Sequence, residues 1–421
     1  MTRRAEGGLP VARRVDDGGS VAGRGGDRGS VAGRGGDRGS VAGREGDGGS
    51  VAGPAPADAP GWAHEALGAV LGRVAVTRDD VGDRFPLFAD PGTGRWTTSR
   101  RGSWTGGFWA GLLWLRARQT GEERDRAAAS TCTARLAPWA EADTATRGLI
   151  LWYGTALADQ DPGASDLRRR AARACLDAHD PELGLVPWGS ALGGPRLLAR
   201  ADAVPGLVPL LATESPAAAA THLRTHLDLC TGRPEGLRPA WRRGDDGTGW
   251  HPCEEPPPGW SRGRAWLLLA VADALSASGT ALDEADGISS PTAARARVPH
   301  AHPPFLQAAR EFLLPRPGDP LVPPADENVP DGLLDTSAAA ITAVALLKLA
   351  RLGDARAAGH ADRAVAVLSR LTESHLSRGR LLDGCYDAGR GTAVRHELVW
   401  GDFFLALGLG ALTGLVDLTT V

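Results

Sequence analysis

The chain has 421 residues, enough for one large domain or two ordinary ones, and a formal net charge of −3. A balance this even, with no basic patch interleaved with aromatics, argues against a nucleic-acid partner. No apolar run reaches membrane-span length, no apolar h-region follows the N-terminal arginines, and the five cysteines form no CxxC pair, which excludes a membrane-spanning or secreted disulfide-framework reading and leaves the reducing cytoplasm as the expected location.

Residues 1–60 are of low complexity: GSVAGR recurs at 19–24, 29–34 and 39–44, and GSVAG at 49–53. Glycine at this density with almost no bulky apolar groups cannot build a core, so disorder is expected here, and the repeats lack the faces a solenoid stacks. A single domain is expected over 61–421. Its apolar residues recur at three- and four-residue spacing in 65–76, 107–118, 124–138, 147–159, 166–178, 203–213, 216–230, 261–278, 303–313, 336–352, 355–370 and 399–414. Gly, Pro or Asp clusters fill most of the gaps, and few segments alternate with period two. About a dozen helices in ~360 residues predict an all-α toroid, an (α/α)6 barrel of six inner helices ringed by six outer ones. A two-domain α-solenoid is the alternative, disfavoured because the helical part has no regular repeat period. Residues 280–300 read as a long insertion or loop.

Thirteen Trp against two Tyr and seven Phe is an unusual ratio. Indole faces stack on sugar rings, and several indoles fall where inner helices would begin: Trp104 and Trp109, Trp188, Trp260, Trp266 and Trp400. The stretch WSRGRAW (260–266) joins two indoles to two guanidinium groups at a helix start, a combination suited to an acidic sugar. Set against this is a Trp-rich helix start packed in the core, with Arg262 bonded to a structural carboxylate. Asp202, Asp335 and Asp402 all sit at helix starts, where Asp commonly serves as an N-cap; Asp335, followed by Thr and Ser, has the strongest cap pattern, and Asp402 reads as an anchor for the last inner helix. Trp188, between Pro187 and Gly189, lies on a loop and suits stacking, whereas Trp114 and Trp152 lie inside helices and suit the core. His251, Glu254 and Glu255 precede three prolines, an extended run on which metal ligands would not converge. His222 and His226 lie four apart on a helix with no HExxH pattern. No P-loop or GxSxG elbow is present.

Four segments, SWTGGFWAGLLWL (103–115), GWSRGRAW (259–266), LLDTSAAAITAVALLKLA (333–350) and ELVWGDFFLALGLGAL (397–412), resemble the unsaturated glucuronyl hydrolases in order and separation, over roughly residues 62–415. The unsaturated rhamnogalacturonyl hydrolases share the barrel and the chemistry. The resemblance implies an (α/α)6 barrel acting on an acidic oligosaccharide with a 4,5-unsaturated uronic acid at its non-reducing end. It implies hydration of the C4=C5 enol ether: a carboxylic acid protonates C4, water adds at C5, and the hemiketal opens. No metal or organic cofactor is implied. Residue by residue, it makes Asp202 the general acid/base, Arg262 the holder of the sugar acid, and Trp104, Trp188 and Trp266 the stacking walls. The family's second Asp is Thr146 here, with Asp143 as the nearby substitute; its Gln is Pro252, and the Ser before Leu-x-Trp-Gly-Asp is Glu397. Two rivals follow from these departures: a non-catalytic carbohydrate-binding or accessory barrel, and a sugar epimerase-like enzyme, which would want His222, His226 or His251 paired in the pocket. The oligomeric state is not legible.

Overall fold

The structure, a computed structural model, describes residues 60–232, 236–244, 247, 249–285 and 304–421. The repeats at 1–59 and most of the expected insertion lie outside the described residues. Eleven α-helices are described: α1 (Gly61–Val81), α2 (Gly106–Thr120), α3 (Glu123–Ala134), α4 (Pro162–Asp177), α5 (Leu207–Ala212), α6 (Pro216–Thr231), α7 (Ser261–Ala285), α8 (Pro304–Leu313), α9 (Thr336–Ala350), α10 (Ala357–Ser374) and α11 (Val399–Leu412). A twelfth helical element, Gly148–Trp152, is π-helical.

Six of these elements form a closed inner ring. α2 packs on Gly148–Trp152, which packs on α5, then α7, α9 and α11, and α11 returns to α2. The intervening helices α1, α3, α4, α6, α8 and α10 pack outside, each against an inner neighbour. This is the (α/α)6 toroid that the periodicity predicts. The amphipathic pattern explains the division: α9 and α11 are buried along nearly their whole length, while α4, α8 and α10 bury one face. Each outer helix returns the chain, so the inner elements run in the same direction and start at one rim.

Two inner segments are shorter than their patterns suggest. The 147–159 region is helical only over Gly148–Trp152, and the 203–213 region only over Leu207–Ala212, after a 3-10 turn at Ala201–Ala203. Close backbone approach is the reason. A Cβ placed on Gly148 would lie 2.0 Å from the Leu207 nitrogen, and one on Gly107 would lie 2.2 Å from the Ile150 carbonyl oxygen. The ring closes here through glycine contacts in place of side-chain ridges. Gly148→Ala is therefore expected to destabilise the protein by about 3 kcal/mol, the upper range for overpacking. A thermal unfolding midpoint unchanged from the native chain would contradict this. At the other extreme α7 is longer than its pattern and runs to Ala285, so residues 280–285, expected in a loop, are helical.

The strands are what periodicity missed. β1 (Phe85–Ala89), β2 (Trp96–Ser99), β3 (Leu198–Arg200), β4 (Ala240–Arg243), β5 (Trp250–Pro252), β6 (Leu376–Ser377), β7 (Arg380–Leu381), β8 (Gly384–Asp387) and β9 (Thr392–Leu398) are short and antiparallel. They form sheets ordered β2-β1-β9-β8, β3-β4-β5 and β6-β7. Most span four residues or fewer, too few to register a period-two signal. β9 feeds directly into α11, and its Glu397 is fully buried, accepting from Arg73 at 3.0 and 3.1 Å and from Arg380 at 3.0 Å. In the first turn of α11, buried Asp402 accepts from the Leu381 amide at 3.2 Å, the anchor expected of it. Burial first, then the nearby Glu397 carboxylate, push its acidity constant well above the usual carboxylate range. Among the described residues no helix is long and apolar enough to cross a membrane.

Candidate active site

The starts of the inner elements bring the aromatic and charged residues together at one rim. Trp104 lies just before α2, Thr144 and Thr146 before Gly148–Trp152, Asp202 before α5, Trp260 and Arg262 at the start of α7, Asp335 before α9 and Trp400 in α11. Free N–H groups and positive dipole ends of α2, α7, α9 and α11 face that rim, which favours an anionic ligand.

The contacts form a continuous aromatic–cation belt. The Arg200 guanidinium lies 5.1 Å from the Trp188 ring centre and 5.9 Å from that of Trp260. Arg262 lies 5.1 Å from Trp260 and 5.5 Å from Trp400. Trp104 closes the row, 4.8 Å from Trp400, and its indole N–H donates to the Tyr386 hydroxyl at 3.3 Å.

Asp202 is not the N-cap of α5; that position is Gly206. Its carboxylate accepts two bonds from Arg200, from Nε at 2.9 Å and Nη2 at 3.0 Å, and it is partly buried. Burial pulls the Arg200 guanidinium down, but Asp202, with Cys253 and Tyr386 nearby, leaves it raised overall. Arg200 escaped the sequence reading. The available signal was the R-x-D spacing at the end of an extended segment, which puts both side chains on one side of the chain.

Arg262 departs from its expected role. Its side chain is 4% exposed; Nη1 donates to the Asp335 carboxylate and the Cys385 carbonyl, and Nη2 donates to the Tyr386 carbonyl at 2.8 Å. The structural-carboxylate alternative describes this residue: Arg262 ties α7 to the start of α9 and to β8. Asp335 also caps α9, accepting from the Ser337 amide at 3.1 Å and the Ser337 hydroxyl at 2.6 Å. Trp266 likewise departs from a stacking wall. It is 1% exposed and packs on Phe108 and Phe404, so no ring face remains for a sugar. Trp188 is 9% exposed, its N–H donating to the Gly193 carbonyl at 3.0 Å and one ring face lying against Arg200.

Asp143 sits to one side of the belt. It accepts from the Ser190 amide at 3.1 Å and hydroxyl at 3.0 Å, and so braces the loop that carries Trp188. No described hydrogen bond joins it to Asp202. Thr146, which the resemblance sets against the family's second Asp, is buried and pairs with the Thr144 hydroxyl at 2.9 Å.

His222 and His226 do pair, with ring centres 4.3 Å apart, but both are fully buried on outer helix α6. The Val186 amide donates to His222 Nδ1 at 3.0 Å, which leaves Nε2 to carry the proton toward the Ala203 carbonyl at 3.3 Å. His222 thus staples the loop before Trp188 to the turn holding Asp202. His226 Nδ1 donates to the His222 carbonyl at 2.8 Å, and its Nε2 has no described partner. Burial lowers the His226 constant to about 4, against smaller upward pulls from that bond and from Asp202. A depressed constant means the unfolded chain binds the proton first. Stability is then fully present above pH 6.5 and falls between pH 6.5 and about 4, by roughly 3 kcal/mol from this group. Urea unfolding at pH 7, 5.5 and 4 measures it, and a His226→Leu variant with an equally steep decline would refute the assignment.

No family model matches the chain. It is 26% identical over 374 residues to the unsaturated glucuronyl hydrolase of Bacillus sp. strain GL1, covering 81% of this chain and 94% of that protein. The crystal structure of the Bacillus sp. GL1 unsaturated glucuronyl hydrolase, described as responsible for glycosaminoglycan degradation, superposes with a TM-score of 0.68 at 22% identity, over 83% of this chain and 96% of that one. A UGL variant solved with dGlcA-Glc-Rha-Glc gives a TM-score of 0.68 at 23% identity with the same coverage. The ring and its indole-lined rim define a protein of the (α/α)6-barrel class. Within that class, the chain is similar to the unsaturated glucuronyl hydrolase of Bacillus sp. strain GL1.

Proposed function

We propose that the chain is a glycoside hydrolase that acts on acidic oligosaccharides ending in an unsaturated uronic acid. The observation that carries this reading is the position of Asp202: a carboxylate at the N-terminal rim, held by Arg200 beside the indoles of Trp188 and Trp260. Asp202 is the general acid/base. It gives a proton to C4 of the enol ether, recovers one from the water that adds at C5, and the resulting hemiketal opens to release the neighbouring sugar. Trp104 and Trp188 supply apolar faces for the sugar ring. Arg262 and Trp266 act from behind the wall, fixing the starts of α7 and α9 that carry it, and Asp143 fixes the Trp188 loop. The helical domain 61–421 carries the whole site.

The test is ultraviolet absorbance of the enol-ether chromophore during incubation of the full chain with a panel of unsaturated uronyl disaccharides. Steady loss of absorbance with at least one member is expected. A folded protein that binds these sugars without consuming the chromophore would instead be a carbohydrate-binding barrel.

A further inference from the structure

An acidic sugar buried against indoles needs a cation at its carboxylate, since an unpaired charge there is strongly disfavoured. Two guanidinium groups reach the belt. Arg262 is committed: its terminal nitrogens donate to Asp335, Cys385 and Tyr386, and its side chain is 4% exposed. Turning it toward a ligand would strand Asp335, which is fully buried.

Arg200 differs in each respect. Its side chain is 21% exposed. Only the Nε–Nη2 edge is engaged, by Asp202, and among the described residues Nη1 has no acceptor. Its guanidinium carbon lies 5.1 Å from the Trp188 ring centre and 5.9 Å from that of Trp260. The extended backbone at Arg200, φ −133° and ψ 146°, ends strand β3, whose pairing with β4 holds the residue in place. A guanidinium is a fork with two usable edges, and each can take a carboxylate bidentately.

We infer that Arg200 is the clamp for the substrate's uronate: its open Nη1–Nη2 edge takes the sugar carboxylate while its Nε–Nη2 edge sets the position of Asp202. One planar group thereby fixes the distance from the sugar acid to the acid that protonates C4. This assignment rests on the uronyl-hydrolase reading for its substrate, but its test does not depend on turnover.

The probe is a saturated glucuronyl disaccharide, which has no enol ether to hydrate, together with its uronate methyl ester. Calorimetric titration of the full chain is expected to give about tenfold or more tighter binding of the acid than of the ester, the scale of one charge-assisted bidentate contact. Arg200→Gln is expected to bring that ratio to within about twofold, and Arg200→Lys, a charge without a fork, to an intermediate value. Near-ultraviolet circular dichroism identifies variants that keep the native fold, and Arg200→Lys serves if Arg200→Gln does not. An Arg200 variant that keeps the full acid preference overturns the inference, as does a native chain that binds neither probe or binds both equally. If the ratio responds as expected while unsaturated disaccharides are not consumed, the clamp stands and the hydrolase reading fails.

Discussion

Asp335→Ala is expected to lower stability by about 3–5 kcal/mol, the cost of removing one partner of a buried ion pair. The carboxylate is fully buried and accepts from Arg262, from the Ser337 amide and hydroxyl, and from the Cys385 amide at 3.5 Å. Its loss leaves the Arg262 charge unpaired among Trp260 and Trp400 and also uncaps α9. The denaturant midpoint measures the effect, provided the slope of the transition is unchanged. A shift worth less than about 1 kcal/mol would show that Asp335 is not the counter-charge of Arg262. The double variant Arg262→Met with Asp335→Leu is expected to recover much of the loss, because apolar groups of similar volume often replace a buried pair with little penalty.

Asp202→Asn is expected to reduce kcat on an unsaturated uronyl disaccharide by about 10²–10⁴-fold, the usual contribution of a positioned proton donor. Asparagine keeps the shape and one acceptor for Arg200, so native near-ultraviolet circular dichroism is expected to be retained. Asp143→Asn is the matched control. Its carboxylate accepts from Ser190, pairs with the exposed Arg196 at 3.6 Å, and is 44% exposed. An amide oxygen can accept the Ser190 bonds, and an exposed ion pair contributes little, so a loss of less than about tenfold is expected. Equal damage from the two variants would move the acid/base role to Asp143, or divide it between them.

The sequence by itself determined the helices and their count, because three- and four-residue periodicity is local and each strongly patterned segment needs only its own residues to declare a buried face. It also determined the cap at Asp335, where D-T-S precedes an apolar run and the short-range bonds to Ser337 follow. It placed the indoles at one rim, since the starts of inner helices in a closed ring must meet. Tertiary structure alone decided which of these groups are available. Arg262 has its partner at Asp335, 73 residues away, and that pairing takes it out of reach of a sugar. Trp266 is sealed by Phe108 and Phe404 from two other inner helices. Arg200 was legible only as one arginine among many until β3 brought it to Asp202 and within cation–π reach of Trp188 and Trp260. The short inner segments near Gly148 and Leu207 gave way to backbone contact that no periodicity encodes. A local pattern reports which face of an element is buried; it does not report which distant charge waits there, and at this rim those long-range pairings assign the roles.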